Sequence, residues 1–195
     1  MPRLANLMHF RCVHTILHNE KTMTDDNKPQ NENRIVTPTT TRCEMTQIVM
    51  PSSTNALGTV FGGQVMAWID ICAAVSAGRF TRTAVVTASM DSLLFKAPIR
   101  QGEVAVLQAT VNWAGRTSME VGVRVESENP LTGKRTHTST AYLTFVSLDN
   151  DGQPQPVPTL QPETDVEVAR WNAAIERRKQ RLELRSRVLN GAKNP

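Results

Sequence analysis

The feature that most constrains the fold is a nearly apolar stretch at residues 63–78, which only Gln64, Asp70 and Ser76 interrupt. Its length and its alanine content favour a helix over a strand. Because the three polar side chains do not collect on one side, we expect the helix to be surrounded by protein. The stretch is shorter than the ~20 residues needed to span a bilayer and has a charge near its centre, so a membrane span is not expected.

The segments around this helix have the alternation of β-strands. We expect strands at residues 45–50, 84–96, 103–113, 117–128 and 135–148. The clearest one contains Met-Glu-Val-Gly-Val-Arg-Val-Glu, a period of two that gives one buried and one solvated face. Short connections, such as the turn sequence Asn-Pro-Leu-Thr-Gly, imply antiparallel hairpins.

This order of elements predicts an α+β fold in which a curved antiparallel sheet wraps around one long central helix. Either element alone would expose an apolar face, and packing them together removes both faces from water. We place this domain at residues 43–152, followed by a proline-rich linker at 153–162 and a basic helix with a tail at 163–195. In the last segment the acidic residues come early and the Arg and Lys residues late, as the helix dipole favours.

Residues 1–42 are predicted to be a disordered or misannotated extension. Thr, Asn, Asp, Gln and Pro dominate residues 24–42, a composition typical of disorder. The segment before them has no apolar run long enough for a secretory signal. It is either a transit peptide or, in the interpretation we favour, sequence that precedes a true start at Met23. Cys12, His14 and His18 have a spacing that loosely resembles a set of metal ligands. No metal is expected, because a fourth ligand is lacking.

Charge and cysteine content narrow the function classes. Residues 1–42 carry six basic and four acidic side chains and residues 163–195 carry eight and five, whereas residues 43–162 carry eight and nine. The net charge of +4 therefore arises at the two ends, and the body of the chain has no excess that favours nucleic acid. Three scattered cysteines do not make a disulfide framework, so we expect a reducing, cytoplasmic compartment.

Asp70 is the residue of the central helix that needs a chemical explanation, since a buried carboxylate is costly unless it is paired or solvated. The residues on its side of the helix are small and leave space for another backbone or for a ligand: Gly63, Ala67, Ala74 and Ala77. Two interpretations stay open from this feature. Asp70 is either a functional carboxylate or a structural one that backbone donors or an arginine satisfy.

The sequence Phe61-Gly62-Gly63 marks the start of the same helix. Free N–H groups at a helix N-terminus stabilise developing negative charge, and glycines let a substrate carbonyl approach them closely. Together with a carboxylate two turns later, such an oxyanion site supplies two parts of an acyl-transfer site.

The combined sequence from Asn55 to Asp70, NALGTVFGGQVMAWID, resembles the signature of hotdog-fold acyl-CoA thioesterases. It is most similar to the branch that holds the bacterial YciA-type and the mammalian cytosolic and brain acyl-CoA hydrolases, and the similarity extends over about residues 43–160. The resemblance implies the hotdog fold and the hydrolysis of acyl-CoA thioesters to a free carboxylic acid and CoA. It implies no metal, and no cofactor besides the coenzyme A that is part of the substrate.

The resemblance also implies a role for each residue of the motif. Asp70 is the catalytic carboxylate, Asn55 assists from the neighbouring subunit, and N–H groups near Gly62 and Gly63 form the oxyanion site. A homodimer would then hold two sites at its interface, and the family often assembles further into hexamers. Further candidates for substrate binding are Phe61, Arg79, Arg82, Arg116, Thr117, Ser118 and Arg135. Candidates for an acyl tunnel are Met66, Trp68, Met90 and Phe95.

The mechanism and two alternative functions stay open. Asp70 could act as a general base on water or attack the thioester directly and form an anhydride. A catalytically weak acyl-CoA-binding or regulatory hotdog protein is the main alternative, although Asn55 and Asp70 are both present and residues 1–42 show no helix-turn-helix. A dehydratase would pair its acid with a histidine, but residues 43–136 contain none and His137 is expected to pack against its neighbours.

Overall fold

The computed structural model describes residue 31 and residues 33–191. Two long helices are present in this part of the chain, α1 (Gly62–Thr81) and α2 (Asp165–Gly191). The strands are β1 (Ile35–Val36), β2 (Cys43–Ile48), β3 (Ala84–Phe95), β4 (Val104–Ala114), β5 (Ser118–Glu128), β6 (Arg135–Leu148) and β7 (Thr159–Leu160).

The five long strands form one antiparallel sheet in the order β2-β4-β5-β6-β3. This confirms the predicted α+β fold, and β6 has the bounds that its alternation predicted. β2 begins and ends two residues earlier than expected, because its pairing with β4 starts at Cys43. β3 lies at one edge of the sheet, so that one of its long sides has no partner strand in the described part of the chain.

The helix α1 packs against one face of the sheet. Its inward residues include Val65, Ile69, Cys72 and Phe80, which join a core that the sheet completes with Leu107, Val121, Leu143 and Phe145. Burying each large side chain contributes about 1.5–3 kcal/mol to stability. The other face of α1 is exposed and carries Met66, Ile71 and Val75. The expectation that protein surrounds this helix is therefore wrong for the single chain, because the sheet covers only one side of it.

Two free thiols lie between α1 and the sheet. Cys43 and Cys72 are both buried, and the Cys72 thiol points at the backbone carbonyls of Cys43 and Leu107, at 3.9 Å from each. Burial, together with the nearness of Cys43, raises the pKa of Cys72 to about 12.

The helix α2 begins with a capping box. The Thr164 hydroxyl accepts the N–H of Glu167 at 3.3 Å, and the Glu167 carboxylate accepts the N–H groups of Thr164 and Glu163 at 3.1 and 2.9 Å. The second carboxylate oxygen of Glu167 accepts the hydroxyl of Thr39 at 2.8 Å. These contacts fix the start of α2 against the segment that precedes β2.

From this start, α2 crosses the outer face of the sheet, opposite to α1. Its contacts reach, in spatial order, Trp113 on β4, Glu120 on β5, Tyr142 on β6 and Asp91 on β3. Sequence alternation placed Glu120 on a solvated face, yet its side chain is only 1% exposed because Arg177 of α2 covers and pairs with it. The helix α2 thus covers part of the outer face of the sheet and forms a second packed layer there.

Residues 33–42 have a defined structure, which differs from the disorder expected there. β1 pairs in parallel with β7, within the segment predicted as a linker. The Thr41 hydroxyl accepts the N–H of Val111 at 3.0 Å, which fastens the segment to β4. The proposed start at Met23 and the trio Cys12, His14 and His18 lie outside the described residues. Neither helix in the described part of the chain combines the length and the apolar content needed to cross a bilayer.

Candidate active site

Asp70 lies in the third turn of α1 with its carboxylate partly exposed. The hydroxyl of Thr87 on β3 donates to Asp70 Oδ1 at 2.6 Å. Among the described residues, no arginine and no backbone N–H donates to this carboxylate. The interpretation of Asp70 as a structural carboxylate required backbone donors or an arginine, and neither is present in the described part of the chain. The second carboxylate oxygen, Oδ2, is available to a ligand.

Thr87 is the site residue that sequence reasoning missed. It lies in the first half of β3, directly before a shift in the pairing with β6. The alternation of apolar and polar residues does not distinguish Thr87 from its neighbours. The usable signal is topological, because β3 begins three residues after α1 ends and therefore returns along the helix towards Asp70.

The start of α1 presents the two glycine amides that the sequence predicted. Phe61 is the N-cap, and its carbonyl accepts the N–H groups of Gln64 and Val65 at 2.9 and 3.2 Å. The N–H groups of Gly62 and Gly63 precede these first intrahelical bonds and can donate outward. A Cβ atom on Gly63 would lie 2.5 Å from the Phe61 ring, so only glycine fits beside that ring in this arrangement.

Within a single chain, these amides lie far from the Asp70 carboxylate. Asp70 follows Gly62 by eight residues of helix, about 12 Å along the axis. Amide donors and a reacting group must each come within about 3 Å of the same thioester group. The structure therefore does not bring Gly62 and Gly63 together with Asp70 on one substrate carbonyl within a single chain.

Asn55 lies at the amide end of α1, in the loop that leads into the helix. Its side-chain oxygen accepts the N–H groups of Leu57 and Thr59 at 2.9 and 3.3 Å and the Thr59 hydroxyl at 3.2 Å. These bonds fix the side chain, and its amide nitrogen has no acceptor among the described residues. Each chain thus offers two half-sites, one with Asn55 and the glycine amides and one with Asp70 and Thr87.

A cavity of about 340 Å³ opens beside the amide half-site. Its lining includes Gly62, Val65, Phe95 and Ile99. Of the residues considered for an acyl tunnel, Phe95 lines this cavity, whereas Trp68 is buried in the core. Met66 is exposed and Met90 packs at the margin of the core.

The remaining substrate-binding candidates are spread over other parts of the surface. Arg79 and Arg82 lie at the far end of α1, where Arg79 donates to the carbonyl of Arg42. Arg116, Thr117 and Ser118 belong to the β4–β5 connection and the start of β5, and Arg135 pairs with Glu128 at 2.6 Å. The structure gathers none of these six beside the glycine amides, and their role in CoA binding stays a prediction.

His137 lies apart from the carboxylate half-site. On β6 its Nε2 atom is 2.9 Å from the Thr140 hydroxyl and 3.0 Å from the Ser139 carbonyl. These contacts are with its own strand, as expected for a histidine that packs against its neighbours. They give no support to a dehydratase that would pair it with Asp70.

Comparisons with known proteins show which family this chain resembles. A family model described as the thioesterase superfamily matches residues 57–134. The chain is 43% identical over 150 residues to the uncharacterized acyl-CoA thioester hydrolase YkhA of Bacillus subtilis, an alignment that covers 74% of this chain and 87% of that protein.

Solved structures show the same similarity. An acyl-CoA hydrolase from Staphylococcus aureus, in complex with butyryl-CoA, CoA and CoA disulfide, aligns with a TM-score of 0.77 and 36% identity over 82% of this chain and 98% of its own. An apo-hexameric acyl-CoA thioesterase aligns with a TM-score of 0.75 and 43% identity over 77% and 96% of the two chains.

Alanine variants of the S. aureus hydrolase replace an asparagine, an aspartate and a threonine. The aspartate follows the asparagine by 15 residues, and the threonine follows the aspartate by 17. Asn55, Asp70 and Thr87 have the same two separations in this chain.

Proposed function

Because the chain belongs to the acyl-CoA hydrolases of the thioesterase superfamily, we propose that its catalytic carboxylate is Asp70, in a site completed by a second copy of the chain. The reaction is the hydrolysis of an acyl-CoA thioester to the free carboxylic acid and CoA. The observation that carries the assignment is the position of Asp70, a partly exposed carboxylate on the central helix with Thr87 as its hydrogen-bond donor.

The separation of the half-sites is the reason to propose a homodimer. One edge of β3 has no partner strand among the described residues. β3 and α1 together carry a set of exposed apolar side chains: Met66, Ile71, Val75, Val86, Leu94 and Phe95. A two-fold axis that pairs two β3 strands antiparallel would extend the sheet and cover these side chains. It would also make the two α1 helices antiparallel, which brings the glycine amides and Asn55 of one copy towards Asp70 and Thr87 of the other.

In this arrangement the chemistry is divided between the two copies. The amides of Gly62 and Gly63 hold the thioester carbonyl oxygen and bind it more strongly as the tetrahedral oxyanion develops. Asp70, oriented by Thr87, either removes a proton from the attacking water or attacks the carbonyl carbon itself. Asn55 orients the water or the thioester, and the CoA thiolate leaves without needing a serine nucleophile.

We propose no cofactor besides the CoA of the substrate, and assembly of the dimers into a hexamer. The description of a similar thioesterase as hexameric supports the second point. The free thiols of Cys43 and Cys72 fit a reducing compartment, and the cytoplasm stays our prediction.

The function is tested by release of free CoA from short-, medium- and long-chain acyl-CoAs, with wild-type protein and the variant Asp70→Ala. We expect kcat to fall by at least about 10²-fold in the variant while the fold is retained. The matched control is Asp151→Ala, which removes an exposed carboxylate from the turn that follows β6, outside both half-sites. Near-normal turnover by Asp70→Ala would remove this residue from the mechanism. Transfer of ¹⁸O from water into the Asp70 carboxylate in a single turnover would identify the anhydride route, because a general base gains no oxygen atom.

A further inference from the structure

Asp91 lies in the most irregular part of β3, shortly after Thr87. The pairing of β3 with β6 shifts between Thr87 and Ser89 and again between Met90 and Ser92, so Asp91 is the residue omitted at the second shift. Its Oδ1 atom accepts the hydroxyl of Ser89 at 3.0 Å. This bond connects the two shifts and braces a backbone segment that the strand ladder alone does not hold.

The other oxygen of Asp91 accepts a hydrogen bond from Arg181 of α2. The Arg181 and Asp91 side chains are 20% and 14% exposed, so solvent screens this ion pair only weakly. Loss of one member of such a pair leaves the other charge without compensation. Among the ion pairs of the described residues, this is the one that joins α2 to the strand that carries Thr87.

Arg181 extends from a helix that other contacts already fix. One turn earlier, Arg177 forms two hydrogen bonds with the buried carboxylate of Glu120, at 2.7 and 3.1 Å. The guanidinium of Arg177 also stacks over the Tyr142 ring, 3.6 Å from its centre. These contacts hold α2 on β5 and β6, so the position of Arg181 is set by strands other than β3.

We propose that Arg181 and Asp91 are positioning residues of the active site, which hold the irregular segment of β3 so that the Thr87 hydroxyl stays in hydrogen-bond contact with Asp70. The inference rests on the proposed function, since it concerns the same carboxylate. A small displacement of a group that orients a reacting side chain is enough to lower turnover strongly. The helix α2 thereby acts on catalysis from the face of the sheet opposite to Asp70.

The test compares Arg181→Met with Arg178→Met. Both changes remove a guanidinium from α2 and keep an apolar stem, but Arg178 lies over the Trp113 ring, 5.0 Å from its centre, on β4 and away from β3. We expect Arg181→Met to lower kcat about tenfold with little change in KM, and Arg178→Met to stay within about twofold of wild type. Equal losses in the two variants would overturn the proposal, because both would then report only the docking of α2.

A double-mutant cycle with Thr87→Val shows whether the effect passes through the threonine. In the Thr87→Val background, Arg181→Met should cause no further loss of kcat. A loss as large as in the wild-type background would overturn the positioning role.

Hydrogen exchange tests the pair without reference to activity. We expect the amides of β3 to exchange faster in Arg181→Met than in wild type and those of β4 to be unchanged. Unchanged exchange in β3 would overturn the proposal. A wild-type chain that releases no CoA would contradict the proposed function, whereas an Arg181→Met variant with wild-type kcat would contradict the positioning role alone.

Discussion

At the scale of single residues, the site depends on how closely groups approach the start of α1. The Cβ of an alanine at position 63 would lie 2.5 Å from the Phe61 ring, whereas one at position 62 would lie 3.7 Å from the Phe95 ring, an ordinary contact. The two glycines are therefore a matched pair, since alanine raises helix propensity equally at both positions. They differ in whether the Phe61 ring must move.

We predict that Gly63→Ala lowers kcat more than Gly62→Ala, by about tenfold relative to it, because the Phe61 ring beside the amides must move to admit the new methyl group. Steady-state kinetics with one acyl-CoA substrate measures both variants, and thermal unfolding checks that both are folded. Equal losses would show that turnover does not depend on the position of the Phe61 ring.

Sequence alone identified part of the residue-scale arrangement. Asp70 and the two glycines stood out because a charge in an apolar helix and a glycine pair at its start are each unusual. Thr87 did not stand out, because a threonine on an edge strand is common and only the return of β3 along α1 gives it a partner. The contact that fixes the carboxylate is a tertiary one, which no local pattern contains.

At the scale of elements, the start of α2 shows how a short cap makes stability depend on pH. Burial by itself would raise the pKa of Glu167, but hydrogen bonds from Glu163, Thr39 and Thr164 outweigh it and leave the pKa below its ordinary value of 4.5. The contribution of this carboxylate to stability is present above the ordinary value and is lost as pH falls through the lowered one.

We predict that the unfolding midpoint of the wild-type protein falls more steeply below about pH 4.5 than that of Glu167→Gln, which has no such carboxylate to protonate. Thermal unfolding across an acidic pH series measures this, with Glu163→Gln as the control, because Glu163 contributes its backbone N–H to the cap and an exposed side chain. Parallel curves for wild type and Glu167→Gln would contradict the prediction.

Strand positions were predictable because alternation follows directly from which face is buried. The packing of α2 on the outer face of the sheet was not predictable. Glu120 has the spacing of a solvent-facing residue whether water or Arg177 covers it. The structure of residues 33–42 was likewise hidden by a polar composition, although the buried hydroxyl of Thr41 ties them to β4.

At the scale of the whole molecule, the separated half-sites make activity a property of two chains. If each site takes Asn55 from one copy and Asp70 from the other, a hybrid of Asn55→Ala and Asp70→Ala chains retains one intact site of two. An equal mixture, unfolded and refolded together, should then recover about a quarter of the wild-type activity. The two variants refolded separately and then assayed together provide the control. Activity no higher than in that control would place the complete site within one chain.

The buried thiols have a practical consequence for measuring this chemistry. A chromogenic disulfide reagent reacts with thiolates, and Cys72 is almost entirely protonated at neutral pH because its pKa is raised to about 12. Cys72 therefore adds no colour to that of the coenzyme liberated after substrate addition. On warming, a slow second phase of reaction with the reagent would measure the rate at which the interior between α1 and the sheet opens and exposes Cys72.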